Sequence, residues 1–264
     1  MYGHEIVAVV PCHNEAKSIG IVIANCLKAG CDRVLVVANG CVDDSAAVAR
    51  RASSYVDVVE ITQPLGMDVP RAIGGKEAIS HGAYAVLFVD GDMSGDIAWH
   101  LRSLVDCVEA GTDIALSDCF RQGIPGFGMA GKVAAARLGL NRLLGLIDSI
   151  GAASPSHGPS CYSCAALKRL ERESPGLRCL AVPPVSVALA KKLGLRIAVG
   201  STISHDALGS PYKSGQHCNR LADTIIGDCI EAECVYLGLP VTRIRDGHLY
   251  DGYNSERRFD LIPI

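Results

Sequence analysis

The chain has 264 residues, 49% of them hydrophobic and 20% charged, enough for one well-filled domain and incompatible with a disordered or collagen-like class. Its 25 Lys and Arg stand against 28 Asp and Glu, so it lacks the basic footprint that grips a nucleic-acid backbone. No secretory-leader pattern opens the sequence and no run reaches about 18 apolar residues, so a cytoplasmic protein without a membrane span is expected.

Residues 5–10 (EIVAVV) are a β-branched run stopped by Pro11 and read as a buried strand opening into a loop. Over residues 16–28, Ile19, Val22, Ile23 and Cys26 recur at helical spacing. The pattern repeats: residues 33–37 (RVLVV) read as a strand, Asn39-Gly40 as a turn, residues 43–53 as an Ala-rich helix and 56–61 as a third strand. Residues 70–80 form a helix with Pro near its start, and residues 83–89 (AYAVLFV) a strand running into Asp90-Gly91-Asp92. A helix over 96–110 and a strand over 113–116 complete this half.

Residues 123–131 read as a Gly-rich loop, 132–150 as a whole or broken helix, and 153–163 as a Ser/Pro/Gly loop. A helix over 185–193, a strand over 195–199, a loop over 200–212 and a long helix over 214–237 follow, ending in a polar, charged tail. Apolar strands alternating with amphipathic helices predict a mostly parallel, Rossmann-like sheet with helices on both faces, in a single domain. In such sheets ligands bind outside the carboxyl ends of the strands. Residues 11–14, 38–40 and 90–92 all fall at strand ends, so they should converge.

Twelve cysteines are scattered, several within apolar periodic segments, where a free thiol packs as a small hydrophobe; a reducing compartment disfavours disulfides. His157, Cys161 and Cys164 form the one local cluster. A zinc site wants a fourth ligand, so packing is their expected role. Asp90 and Asp92, one residue apart after a buried strand, can share a divalent cation that also binds phosphates, and Gly91 lets the backbone approach such a ligand. Taken as a bare tripeptide, the same residues are an ordinary solvated turn.

Three segments occur in order: VVPCHNE at 9–15, VVANGCVDD at 36–44 and LFVDGDM at 87–93. Together they resemble a family 2-type glycosyltransferase of the GT-A fold over roughly residues 4–210, with some similarity to mannosyl- and glucosyl-glycerate synthases. The resemblance implies transfer of a sugar from a nucleotide-diphosphate donor to a hydroxylated small-molecule or lipid-linked acceptor, with Mn2+ or Mg2+. It divides the chain into a nucleotide-sugar half (1–116), an acceptor-side half (117–212), and a C-terminal helix and tail (213–264).

Carried over, Pro11, Asn14 and Glu15 match the base- and ribose-binding loop, and Asn39 and Asp43 the second loop. Asp90, Gly91 and Asp92 match the donor and metal motif, Asp92 as a catalytic residue. Ala38 stands where the family commonly has an acidic residue, which puts uridine as the base in question. Arg71 and Lys76 lie where the family places a basic residue near the diphosphate, Lys76 being assigned to both binding and catalysis; five residues apart, they do not share a helical face. His205 corresponds to a further metal ligand, with Lys213, His217 and His248 as weaker candidates. Ser156, His157 and Gly158 match the acceptor-binding loop.

Inverting members often carry an acidic pair before the helix at 185–193; here the residues are Val182-Pro183-Pro184, which favours retention of configuration. Residues 138–150 are apolar enough for peripheral membrane contact, although a buried helix is the preferred reading. A nucleotidyltransferase, which opens with a Gly-rich basic loop, and a non-catalytic nucleotide-sugar-binding protein are the alternatives.

Overall fold

A computed structural model describes residues 4–120, 123, 126, 128–211 and 214–263. The first half alternates strand and helix: β1 (Ile6–Cys12), α1 (Ile19–Lys28), β2 (Arg33–Asn39), α2 (Ser45–Ala52), β3 (Val56–Ile61), α3 (Val69–Ser80), β4 (Ala85–Phe88), α4 (Ala98–Glu109) and β5 (Ile114–Asp118). Then come α5 (Gly128–Leu143), α6 (Ile147–Ile150), β6 (Ser160–Ser163), α7 (Cys164–Glu173), α8 (Pro183–Lys192), β7 (Ile197–Thr202) and α9 (Gly215–Leu237). A small hairpin, β8 (Ile244–Arg245) with β9 (His248–Leu249), follows.

Seven strands make one sheet in the order β3-β2-β1-β4-β6-β5-β7. All neighbours run parallel except β6, antiparallel to β4 and β5. Successive side chains of a strand point to opposite faces, so the continuous apolar runs supply two cores. Val7, Val9, Val37 and Phe88 face the core formed with α3, α5 and α7 to α9. Ala8, Val10, Val36 and Leu87 face the core formed with α1, α2 and α4. Each fully buried Val, Leu or Phe adds roughly 1.5–3 kcal/mol, which is why the central strands carry no polar alternation.

One element departs from the expected second half. The Ser/Pro/Gly stretch contains β6, whose Tyr162 is 1% exposed and whose hydroxyl meets Ser186 Oγ at 2.9 Å. Ser163 then caps α7 by accepting from the Ala166 amide. Cys161 faces the α4 side of the sheet, and no group of three or more metal-ligating side chains occurs among the described residues. Of the whole or broken helix expected at 132–150, the broken form is found, as α5 and α6; Leu140, Leu144, Leu146 and Ile150 are buried and Leu143 is 38% exposed, so the segment packs mainly into the core. No helix among the described residues is long and apolar enough to cross a membrane.

The polar, charged tail packs back onto the domain. Gly66, at φ +82°, lies so close to it that a Cβ would stand 2.5 Å from the Glu256 carbonyl oxygen. The Arg258 amide donates to the Leu65 carbonyl at 2.8 Å. Chain ends are ordered only where such contacts tie them down.

Candidate active site

Parallel neighbours β2, β1 and β4 deliver their carboxyl ends to one edge, and a cavity of about 550 Å³ opens there. Its floor is the 90–92 turn. The Gly91 amide donates to the Pro11 carbonyl at 3.0 Å, and a Cβ on Gly91 would stand 2.9 Å from that oxygen. Only glycine permits so close an approach. Ser18 Oγ donates to the Gly91 carbonyl at 2.8 Å, locking the turn against the start of α1.

His205 lines the same cavity although it lies far along the chain, because residues 208–210 are bonded to the segment 92–95. The Gly95 amide donates to the Leu208 carbonyl at 2.9 Å, Ser94 Oγ to the Gly209 carbonyl at 3.1 Å, and Ser210 Oγ to Asp92 at 3.3 Å. The His205 ring lies 5.3 Å from the His157 ring, which in turn lies 4.9 Å from Phe120. Burial, with Arg137 and His205 adding to it, pushes the His157 imidazole down to about 2. It is therefore neutral at physiological pH, and its buried Nδ1 has no hydrogen-bond partner.

Opposite stands Arg71, 5% exposed. Its Nη2 donates to Asp90 at 2.5 Å, its Nη1 to the Pro155 carbonyl at 3.2 Å, and its Nε lies 3.2 Å from Asp68. Burial would lower the guanidinium's affinity for its proton, but Asp90 and Asp68 outweigh it and hold the group above its ordinary range. Arg137, 4% exposed, donates to the Ser156 carbonyl and hydroxyl at 3.1 and 3.2 Å. Burial pulls it down to about 10.

Of the residues singled out in sequence, Pro11, Glu15, Asn39, Arg71, Asp90, Gly91, Asp92, Ser156, His157, Gly158 and His205 all line this cavity. Asn39 spends its side chain on the neighbouring segment, accepting from the Leu65 amide at 2.6 Å and donating to the Gly66 carbonyl at 3.2 Å. His217 lines the wall as well, meeting the Tyr253 hydroxyl at 2.8 Å.

Three assignments need correction. Lys76 lies elsewhere: its ammonium donates to the Pro263 carbonyl at 3.0 Å and pairs with Glu171 at 3.7 Å. At 100° per residue it sits about 140° around α3 from Arg71, so only one of the two can face the cavity. Asn14 and Asp43 are loop staples: Asn14 Oδ1 accepts from the Val42 amide at 2.8 Å, and Asp43 accepts from the Ala16 amide at 3.1 Å and from Ser45. Neither lines the cavity. His248 is exposed on β9, and Lys213 lies outside the described residues.

The sequence reading passed over His13, Asp68, Asp206 and Arg137. The first three line the cavity and His13 lies inside the first quoted motif, but nothing local distinguishes them from loop residues. Asp68 carried a signal visible only in the backbone: it adopts φ +63°, a conformation uncommon outside glycine.

No protein-family model matches the chain, and no curated protein matches it in sequence. Solved structures do match. Glucosyl-3-phosphoglycerate synthase from Mycobacterium tuberculosis, in complex with Mn2+, UDP and glucosyl-3-phosphoglycerate, aligns with a TM-score of 0.63 at 19% identity, over 90% of this chain and 81% of that one. The chain has the GT-A fold. The same synthase with Mg2+ and UDP gives 0.62 at 18% identity over the same shares, and a further mycobacterial protein gives 0.61 at 18% over 90% and 76%. At these identities the likeness is one of backbone path, which confirms the fold expected from the three motifs; side-chain roles rest on the geometry above.

Proposed function

We propose that the chain is a glycosyltransferase that moves a sugar from a nucleotide-diphosphate donor to a hydroxyl acceptor. The observation that carries this is the convergence, in one cavity, of Asp90-Gly91-Asp92 and a buried Arg71 at the carboxyl ends of parallel strands. A cavity of this size suits a small-molecule ligand. The synthase of similar fold binds Mn2+, UDP-glucose and phosphoglyceric acid, which supports a donor and an acceptor of these kinds here.

The donor set fits Mn2+ or Mg2+: carboxylate oxygens from Asp90 and Asp92, with the His205 imidazole as a nitrogen ligand. Such an ion needs only one or two protein carboxylates, phosphates and waters filling the rest, consistent with the lack of a preassembled three-ligand cluster among the described residues. When bound, it neutralises charge developing on the leaving diphosphate.

This chain's own residues would do the remainder. Arg71 offers fixed N–H donors to diphosphate oxygens, and a planar fork matches phosphate better than an ammonium does. Ser156, neutral His157 and the Gly158 backbone line the acceptor side, where uncharged donors and acceptors can orient a hydroxyl without competing for the metal. Pro183 and Pro184 fill the first turn of α8 and are buried, so no carboxylate stands there as general base. We therefore favour retention, the acceptor proton passing to a donor phosphate oxygen.

The test is calorimetric titration of UDP, GDP, CDP and dTDP sugars with Mn2+ and then with chelator, followed by NMR of any product. Metal-dependent binding of one nucleotide with turnover, and a product anomer matching the donor's, is the expected result. Binding without turnover across a broad acceptor panel would favour a non-catalytic binding protein, and an opposite anomer would remove retention alone.

A further inference from the structure

A line of paired charges, buried at its tail end, runs from the tail to the 90–92 turn. Arg243 donates to Asp228 at 2.7 Å; Asp228 also accepts from Arg257 at 2.6 and 2.9 Å; Arg257 donates to Asp68 at 3.1 Å; Asp68 pairs with Arg71, and Arg71 with Asp90. Arg257 is its hinge. All five of its N–H groups are used: Nε on the Met67 carbonyl at 3.2 Å, Nη1 on Asp228 and Asn254, Nη2 on Asp228 and Asp68. A guanidinium has five donors in a fixed fork, so no other side chain can satisfy this set.

We infer that Arg257 is a positioning residue for the donor site: it anchors residues 65–71 from outside so that Arg71 is held facing the cavity. What Arg71 then binds rests on the function proposed above. Three observations support the anchoring. Asp68 keeps its left-handed backbone between two arginines. Gly66 leaves no room for a side chain against the Glu256 carbonyl. Arg257 is 5% exposed, so its contacts are not exchanged for water. A free Arg71 side chain would lose several rotatable bonds on binding a diphosphate; one held at Asp68 has lost them already.

Full-length R257Q, R257K, R71A and R71A/R257Q are compared with wild type by hydrogen exchange and by titration with UDP, GDP, CDP and dTDP in Mn2+. In R257Q, amide exchange over residues 65–72 should rise at least tenfold while β1 and β4 stay protected, and the Kd of the nucleotide diphosphate that binds should rise at least tenfold. On the R71A background, R257Q should add less than twofold, because the two act through one group. Unchanged exchange at 65–72, or equal weakening with and without Arg71, overturns the inference. If R257Q does not fold, R257K, which keeps the charge but not the fork, is read by the same criteria. If wild type binds none of the four nucleotides, the donor reading falls, and the exchange result alone still decides whether Arg257 anchors the segment that carries Arg71.

Discussion

Arg71 Nη2 donates to Asp90 Oδ1 across 2.5 Å, joining the cation and the first carboxylate of the candidate donor site. A side chain 6% exposed on one partner and 38% on the other leaves Asp90 reachable while Arg71 is fixed. Removing the guanidinium deletes a charge-assisted contact of roughly 1.5–3 kcal/mol. R71A is therefore expected to weaken nucleotide-diphosphate binding by about ten- to a hundredfold, with R71K between it and wild type, as read by calorimetry.

Asp92 accepts from Ser210 Oγ at 3.3 Å and lines the cavity, where the proposed function makes it a ligand of the cation. D92A should keep the fold and lose Mn2+-dependent donor turnover by about a hundredfold or more. Donor hydrolysis followed against Mn2+ concentration checks this, and metal-dependent turnover surviving in D92A would contradict it.

Lys76 gives the opposite expectation. Its contacts are Pro263 and a partly exposed Glu171, and pairs of that kind contribute about 0–1 kcal/mol. K76A should leave kcat/KM within about twofold of wild type; a large loss would return Lys76 to the site.

Acid stability should fall through His100. The residue is fully buried, and its Nε2 meets Ser117 Oγ, whose proton goes to the Pro159 carbonyl. Nε2 therefore carries the hydrogen, and Nδ1 is left without a partner. Burial pushes the ring down to about 4, below the usual 6.5 of an unfolded chain. The unfolded state thus binds the extra proton first: the contribution is complete above about pH 6.5, declines as pH falls, and levels near pH 4. At pH 5 the loss is about 2 kcal/mol. Urea denaturation at pH 7, 6 and 5 should show it, and H100Q, which keeps a donor for Ser117, should flatten the profile.

The first half of the molecule was legible because its information is local. EIVAVV, RVLVV and AYAVLFV are unbroken apolar runs that only a strand buried on both faces requires, and the residues that stop them are those that line the cavity. Once the strands are parallel, their carboxyl ends must share an edge, so the convergence of Pro11, Asn39 and Asp90 follows from the sequence alone. The helical spacing of Arg71 and Lys76 already said that one of them would face away, although not which.

What remained was decided by contacts between residues distant in sequence. SCYS has no apolar alternation, and it becomes β6 only because β4 and β5 offer it hydrogen bonds on both sides. Nothing near His205 in the chain announces its place; the bonds of Ser94 and Gly95 to residues 208 and 209 set it. The tail reads as polar and charged, which says nothing of its packing, yet Arg243 and Arg257 are buried against Asp228. Periodicity reports which face of an element is apolar, whereas ion pairs and turn-to-turn bonds have no period. The sequence by itself determined the parallel strands, most of the helices between them and the edge where the motifs meet; the tertiary structure alone decided the antiparallel insertion and which charges meet at that edge, because pairing a buried charge depends on where the distant partner's backbone lies.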